Sequence, residues 1–425
     1  MTTPSHDRLV SLRREFHRHP EPAWREFWTT ARIVEELDAM GVDLDVHVGR
    51  DALASDERIG VPDDTELDNW LTRARDAGAR EELLETMAGG YTGAVAVLER
   101  GEGPTVGLRV DIDGLPREEA SGDDHTPARE GFRSETGAMH ACGHDAHVTF
   151  GLGVLETLAD DPEFAGTLKV FFQPAEESIG GGKPMAESGH LDDVDSLLAV
   201  HVGLDRPTGR VVAGIDGFLA VSQFRAEFVG EPAHAGAHPS EGRNAVQAMA
   251  TAVQNLYGIS RHEDGATRVN VGRVAGGTAT NIVPESATIE GEVRGETTEL
   301  MRYMRDQADR IADGAAVTHD CDVDVETVGE APSAASDEAV AAAVADVAGD
   351  VPGVDSVSDR EDLGGSEDAT YLMQRVQERG GQAAYVVVGT DHPSGHHTAT
   401  FDVDEASLDI GVAVLAGALR ELSRT

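Results

Sequence analysis

An α/β fold is predicted: a mainly parallel, helix-covered sheet interrupted by an inserted domain of different pattern. Three observations predict it. Apolar strand-like runs alternate with amphipathic helical segments over the first half of the chain. The pattern changes to β-α-β-β-α-β near Gly217 and reverts after a short linker, Ala331 to Ala335. Several apolar runs also end in cysteine, histidine or carboxylate side chains, and open α/β sheets build their sites beyond the carboxyl ends of the strands.

Taken in order, Arg13 to Gly41 suits two helical segments, with Phe16, Ala23, Ile33, Val34, Leu37 and Met40 at helical spacing and a break at His19-Pro20-Glu21-Pro22. An acidic, helix-prone stretch from Pro62 to Met87 reads as an insertion or covering helix. Thr105 to Val110 is a strand leading into Asp111-Ile112-Asp113-Gly114. After the loop Met139-His140-Ala141-Cys142-Gly143-His144-Asp145-Ala146-His147, a helix is expected from Ala146 to Leu158, followed by strands beginning at Leu168 and Leu197. In the inserted segment the expected strands are Ala220 to Val229, Arg268 to Val274, Ala287 to Val293 and Asp322 to Thr327. Helices Asn244 to Tyr257 and Thr297 to Ala312 separate them, which is the ferredoxin-like order. Helices from Asp337, Glu367 and Asp404 and the apolar run Ala384 to Val388 complete the outer domain. The domains are therefore expected at 1–216 with 331–425, and at 217–330.

The chain has 425 residues with a hydrophobic fraction of 40%, enough for two domains with separate cores. We find no apolar run of about 18 residues and no basic-then-apolar amino terminus, so neither a membrane span nor a secretory signal is expected, and the protein is placed in the cytoplasm. Cys142 and Cys321 are too few for a disulfide framework; Cys321 is expected only to pack. The charge balance is extreme, with 78 acidic residues against 34 basic ones, only two of them lysines (Lys169 and Lys183), and a formal net charge of -44. Such a field repels nucleic acid and anionic membranes. It suits a halophile cytosol, where molar salt shortens the Debye length to about 3 Å and removes most of the self-repulsion.

The chemistry-bearing residues cluster. Cys142 and His144 flank one glycine, so a thiolate and an imidazole can reach the same metal. The run Leu168 to Phe172 leads through Gln173-Pro174-Ala175 to the adjacent carboxylates Glu176 and Glu177. The run Leu197 to Val200 ends at His201, and Gly395-His396-His397 follows Ala384 to Val388. Neighbouring carboxylates at a strand end point in different directions, so Glu177 can bind metal while Glu176 faces a water as general base. One thiolate, imidazoles and a carboxylate suit zinc, manganese, cobalt or nickel.

These segments resemble the zinc-dependent amidohydrolases and aminoacylase-type metallopeptidases, in the subgroup of hippurate, auxin-conjugate and aminobenzoyl-glutamate hydrolases. The resemblance runs from Phe16-His17-Arg18-His19-Pro20-Glu21 to Phe401-Asp402-Val403-Asp404-Glu405. The stretches Ala233-His234-Ala235-Gly236-Ala237-His238-Pro239, Val293-Arg294-Gly295-Glu296-Thr297 and Arg375 to Gly381 look closest to aminobenzoyl-glutamate hydrolases of the A-subunit type. The resemblance implies two divalent metal ions, zinc or manganese first, held by Cys142, His144, Glu177, His201 and His397, with Cys142 as bridge. His397 is preferred to His396 because it stands four residues before Phe401, the family's usual offset; His396 is then a supporting residue or the alternative ligand. Thr398-Ala399-Thr400 lacks the proline common at this point in the family.

Asp111 and Asp113 stand where the family has a metal ligand and a base-orienting carboxylate; Asp113 is given only a supporting role behind the ligands. His234 is implied as the oxyanion donor, contributed across a dimer, and His238 as structural. Asn281 and Arg294 are implied to hold the substrate carboxylate, with an interdomain ion pair as the alternative for Arg294. The expected activity is hydrolysis of the amide of an N-acyl amino acid, aminobenzoyl-glutamate favoured. The alternatives are an aminoacylase or dipeptidase of other acyl preference, and a non-catalytic conjugate binder. A homodimer whose inserted domain acts as lid and dimerisation module, with or without a second subunit type, is the implied assembly.

Overall fold

The computed structural model describes residues 1 and 3–424 and contains two compact units. The first comprises Met1–Asp216, Ala334–Leu363 and Glu367–Thr425; the second comprises Gly217–Ser333 and Gly364–Ser366.

The first unit is built on an eight-stranded sheet in the order Asp45–Val48, Ala94–Arg100, Gly166–Gln173, Thr105–Asp111, Ser196–Val202, Gln382–Val388, Arg210–Val212 and Ser356–Ser358. The four strands from Gly166–Gln173 to Gln382–Val388 run parallel, in a register that places Asp111 beside Gln173 and Val387 beside His201. Their carboxyl ends therefore lie level along one edge of the sheet. They are buried on both faces and read as continuous runs of valine, leucine, alanine and phenylalanine, as helix-covered parallel strands must. The helices His144–Ala159 and Ala406–Leu422 are likewise apolar nearly all round and almost wholly buried.

The outer pairs differ from the expected pattern. Asp45–Val48 and Ala94–Arg100 join antiparallel, as do Ala94–Arg100 and Gly166–Gln173, and Arg210–Val212 runs antiparallel to Gln382–Val388. Ala94–Arg100 is not among the expected strands: its partner lies some seventy residues away, and local periodicity carries no trace of such pairing. The acidic stretch after Pro62 forms two helices, Asp64–Asp76 and Glu81–Met87, separated at Gly78.

The second unit is a four-stranded antiparallel sheet in the order Asp322–Ala331, Ala220–Val229, Ser286–Gly295 and Thr267–Gly276. With the helices Ala245–Leu256 and Thr298–Thr318, this is the ferredoxin-like arrangement. Both helices bury alanine-rich faces in one core with Phe224, Phe228, Ile289, Val293 and Met304. Small side chains there let helix and sheet approach closely. Cys321 lies in the same core, as packing material.

Candidate metal centre

Four parallel strands deliver the candidate residues to one edge of the first unit. Asp111 ends its strand, His201 is the penultimate residue of Ser196–Val202, and Glu176 and Glu177 follow Gln173-Pro174. The turn after Gln173 is tight: Ala175 takes φ 55, and its N–H donates to Glu26 Oε1 at 2.8 Å. A non-glycine residue in the left-handed region costs about 1 kcal/mol or more, and here the strained turn aims the two carboxylates.

The loop before helix His144–Ala159 is equally constrained. Gly143 adopts φ 87, and a Cβ there would collide with the Val202 side chain, so only glycine lets Cys142 and His144 approach the strand ends. His397 joins from the carboxy-terminal segment: its N–H donates to the Ala141 carbonyl at 2.8 Å, and Arg117 donates to its carbonyl.

Two groups of donor atoms share one residue. Cys142, His144 and His201 offer ligand atoms within 4.8 Å of one another, and so do Cys142, Glu177 and His397. A third group joins His144 to Glu176 and Glu177. The tautomers follow from the hydrogen bonds. His201 Nδ1–H donates to the Val202 carbonyl at 2.7 Å, leaving Nε2 3.4 Å from the Cys142 sulfur. His144 Nδ1–H has the Asp113 carbonyl at 3.0 Å and Asp113 Oδ1 at 3.2 Å as acceptors, which leaves Nε2 free.

His396 behaves differently. Its Nε2 accepts from the Leu204 N–H at 3.0 Å, so the proton sits on Nδ1, 3.5 Å from the Cys142 sulfur, where it can donate to a thiolate. His397 Nε2 lies 3.5 Å from Glu177 Oε2. His147, the third imidazole of the loop, has both nitrogens engaged. Nδ1–H donates to Asp111 Oδ1 and Nε2 accepts from the Val202 N–H, so it braces Asp111 against the neighbouring strand.

Burial works against the charged forms of these donors. Burial raises the Cys142 thiol to about 12, with Glu177 adding to the effect, and burial first and then nearby carboxylates raise Glu177 itself to about 8. Burial and the neighbouring His147 and His396 hold His201 well below its ordinary value. His144 Nε2 and Glu177 Oε1 are buried without a hydrogen-bond partner. Orphaned buried atoms of this kind cost about 1–3 kcal/mol each unless something satisfies them. A thiol, two carboxylates and three imidazoles at one strand edge fit divalent cations, which would favour the thiolate and carboxylate forms that burial disfavours.

A charged cluster behind the centre is absent from the expectations. The guanidinium of Arg109, wholly buried, reaches Asp111 Oδ2 at 2.8 Å, Gln173 Oε1 at 2.8 Å, Asp368 Oδ1 at 3.2 Å and Glu367 Oε1 at 3.3 Å. Tyr385 donates to Glu367 Oε2 at 2.8 Å, and Glu367 shares a 4.8 Å group with Asp111 and Glu176. The signal is present in the sequence: an arginine in the middle of Val106 to Val110 must find carboxylate partners when the strand is buried.

The remaining candidates lie in the second unit. His234 is exposed; its Nδ1 accepts from the N–H groups of Gly236 and Ala237, at 3.2 and 3.1 Å, so the outward Nε2 carries the proton. Ala235 N–H donates to the Asn281 carbonyl at 2.9 Å, which holds Asn281 beside the His234 loop. Arg294 pairs with Glu292 of its own strand at 2.8 and 3.0 Å and reaches Ser366 Oγ, all within this unit. His238 is exposed, 3.3 Å from Glu241.

Comparison with known proteins agrees with this chemistry. Residues 107–421 match Peptidase family M20/M25/M40. Indole-3-acetyl-aspartic acid hydrolase of Enterobacter agglomerans is 43% identical over 96% of this chain and 94% of its own. The A-subunit of p-aminobenzoyl-glutamate hydrolase from Escherichia coli (strain K12) is 41% identical over 96% and 94%. The crystal structure of an aminobenzoyl-glutamate utilization protein from Klebsiella pneumoniae superposes with a TM-score of 0.83 at 35% identity, covering 98% of this chain and 95% of that one. The chain thus belongs to Peptidase family M20/M25/M40 and is a hydrolase acting on amide bonds.

Proposed function

We propose that the enzyme hydrolyses N-acyl conjugates of dicarboxylic amino acids, with aminobenzoyl-glutamate as the favoured substrate, using two divalent cations. The observation that carries this reading is the pair of donor groups sharing Cys142, one completed by His144 and His201 and the other by Glu177 and His397. A single cysteine common to both is suited to bridging, because a thiolate can share its electron density between two cations. The engaged Nε2 of His396 supports His397 as the ligand and leaves His396 to donate to the bridging sulfur. The names of the relatives support the substrate class, since both act on aromatic acyl groups attached to aspartate or glutamate.

Bound zinc or manganese would polarise the amide carbonyl and acidify water. Glu176 is the general base. Its carboxylate is buried beside the donors, 3.9 Å from His144 Nε2, and burial followed by the Glu367 and Glu177 charges holds its pKa well above the usual range. A raised carboxyl can take a proton from water and deliver it to the leaving nitrogen at neutral pH. His234, with its exposed Nε2–H, is the donor to the oxygen that gains charge, worth roughly 3–4 kcal/mol where such donors have been removed. Asn281 and Arg294 hold the substrate carboxylate; Arg294 would exchange part of its Glu292 pairing for the ligand. The same reading places the enzyme in the cytoplasm as a homodimer, in which the inserted unit serves as lid and dimerisation module.

The test is Glu176→Gln in metal-loaded protein at high salt. Turnover of aminobenzoyl-glutamate should fall by about 10²–10⁴ while cation content stays that of wild type. Full activity in that variant removes the mechanism. Wild-type protein that binds conjugates but hydrolyses none is a carrier, and preference for simple acyl amino acids or dipeptides makes it an aminoacylase or dipeptidase.

A further inference from the structure

Beside the Glu177 carboxylate lies a cavity of about 560 Å³ walled entirely by the first unit. Its size falls within the roughly 300–1,000 Å³ usual for small-molecule sites. Pro22, Ala23, Trp70, Leu115, Pro116 and Ala138 give it apolar walls, and Arg25, Glu66 and Arg73 stand among the polar groups around it. Trp70 and Arg73 come from the helix Asp64–Asp76, part of the acidic stretch that the sequence marks as an insertion or covering helix and to which the metal chemistry assigns no role.

The placement of Trp70 is unusual for a residue kept only for packing. Its helix buries Leu67 and Ala74, one stripe at i and i+7, and Trp70 lies between them on the same side. Yet Trp70 stays half-buried, because its inner side borders the cavity. The indole is held from another direction: the Arg73 guanidinium carbon sits 4.7 Å from the ring centroid, and Arg73 donates to the Thr136 carbonyl at 3.2 Å. Arg25 is committed to Glu66 at 2.7 and 3.0 Å, and also donates to the Ala23 carbonyl. An anionic group entering here would meet the Glu66 and Glu177 carboxylates, with Arg73 as the one lining cation that lacks a carboxylate partner among the described residues. A flat neutral ring meets proline, leucine and an indole surface already fixed in place.

We propose that this cavity is the acyl subsite and that it accepts a planar aromatic acyl group stacked against Trp70, with the scissile carbonyl at the Glu177 end. The assignment rests on the amidohydrolase reading above and adds to it which part of the substrate this pocket selects. Stacked aromatic pairs are favoured beyond the area they bury, so an aromatic acyl group gains at this site what an acetyl group cannot.

The experiment uses the metal-loaded enzyme and compares kcat/KM for 4-aminobenzoyl-glutamate and N-acetyl-glutamate. Trp70→Ala should lower the aromatic-to-acetyl ratio by about tenfold or more, and Trp70→Phe should keep most of it. Calorimetric titration with the neutral ring 4-aminobenzamide gives a reading independent of turnover: its affinity should drop by about tenfold in Trp70→Ala and far less in Trp70→Phe. An unchanged ratio and unchanged 4-aminobenzamide affinity in a Trp70→Ala protein with the wild-type thermal midpoint overturn the proposal. So does an Arg73→Gln variant that loses preference for glutamate over alanine conjugates while the acyl ratio stays put, because the cavity then holds the amino-acid carboxylate. If wild type hydrolyses neither conjugate, the functional reading fails on its own. The titration still decides the pocket: binding that depends on Trp70 supports it, and binding that does not, or no binding, overturns it.

Discussion

Replacing Asp113 with asparagine tests how the centre is held together. The Asp113 carboxylate is wholly buried and serves two neighbours: Oδ2 accepts from the Glu177 N–H at 3.0 Å, and Oδ1 lies 3.2 Å from His144 Nδ1. One contact steadies the turn that carries Glu177. The other keeps the proton of His144 on Nδ1, so that Nε2 is presented as a lone pair. An amide has only one acceptor oxygen. Turned to serve Glu177, it points its NH₂ at the His144 N–H; turned the other way, it points at the Glu177 N–H. Either orientation sets donor against donor in a buried place, a penalty of about 1–3 kcal/mol. The Asp113 backbone carbonyl, 3.0 Å from His144 Nδ1, survives the substitution and can keep the imidazole oriented. The loss should therefore fall near the lower end, about tenfold in cation affinity or about 1.4 kcal/mol, against the 10–100-fold range for groups that support ligands. Competition against a chromophoric chelator, with zinc and with manganese, measures it. Wild-type affinity in Asp113→Asn refutes the reasoning, and so does a penalty confined to the stability of the metal-free protein.

Other perturbations follow from the same geometry. Arg109→Met leaves Asp111, Glu367 and Asp368 buried without their common cation and should destabilise the fold by about 3–5 kcal/mol, read as a lowered urea midpoint; a midpoint equal to wild type argues against the cluster. For His17, burial and Arg13 push the pKa down, but hydrogen bonds to Asp145 and Glu119 outweigh them and raise it from 6.5 to about 9. A group raised on folding stabilises fully below its unfolded value and loses that contribution as pH climbs through the folded one. Stability should therefore fall by about 3 kcal/mol between roughly pH 6.5 and 9, and His17→Gln should flatten that slope. The net charge of -44 predicts a thermal midpoint that rises from about 0.1 M to about 1 M KCl as the Debye length shortens from about 10 to 3 Å; a flat or falling trend would sink the halophile reading.

Local pattern reveals most of the elements. The βαββαβ order of the second unit is legible because each strand and helix carries its own periodicity, and the adjacency of Cys142, Gly143 and His144 announces ligand chemistry outright. The resemblance names the candidates of the centre, and Asp113 among its supports. Glu367, Asp368 and Tyr385 carry no such mark, because each is ordinary in its own neighbourhood and acquires meaning only beside Arg109, whose place in a buried strand is the one local sign of the cluster. His147 lies in the same loop sequence as Cys142 and His144. Only its hydrogen bonds to Asp111 and Val202 show that both ring nitrogens are already engaged.

The order of residues along the chain thus determined the family, the class of fold and the kinds of donor available, since motifs and periodicities are properties of neighbours. Tertiary structure alone decided which carboxyl ends of strands stand side by side and which histidine nitrogen is left free. It also brought Trp70, from a segment remote from every ligand, to the wall of a cavity that touches Glu177. The side-by-side strand ends depend on the parallel register of Gly166–Gln173, Thr105–Asp111, Ser196–Val202 and Gln382–Val388, and pairing between segments about 60 to 190 residues apart leaves no local mark in the sequence.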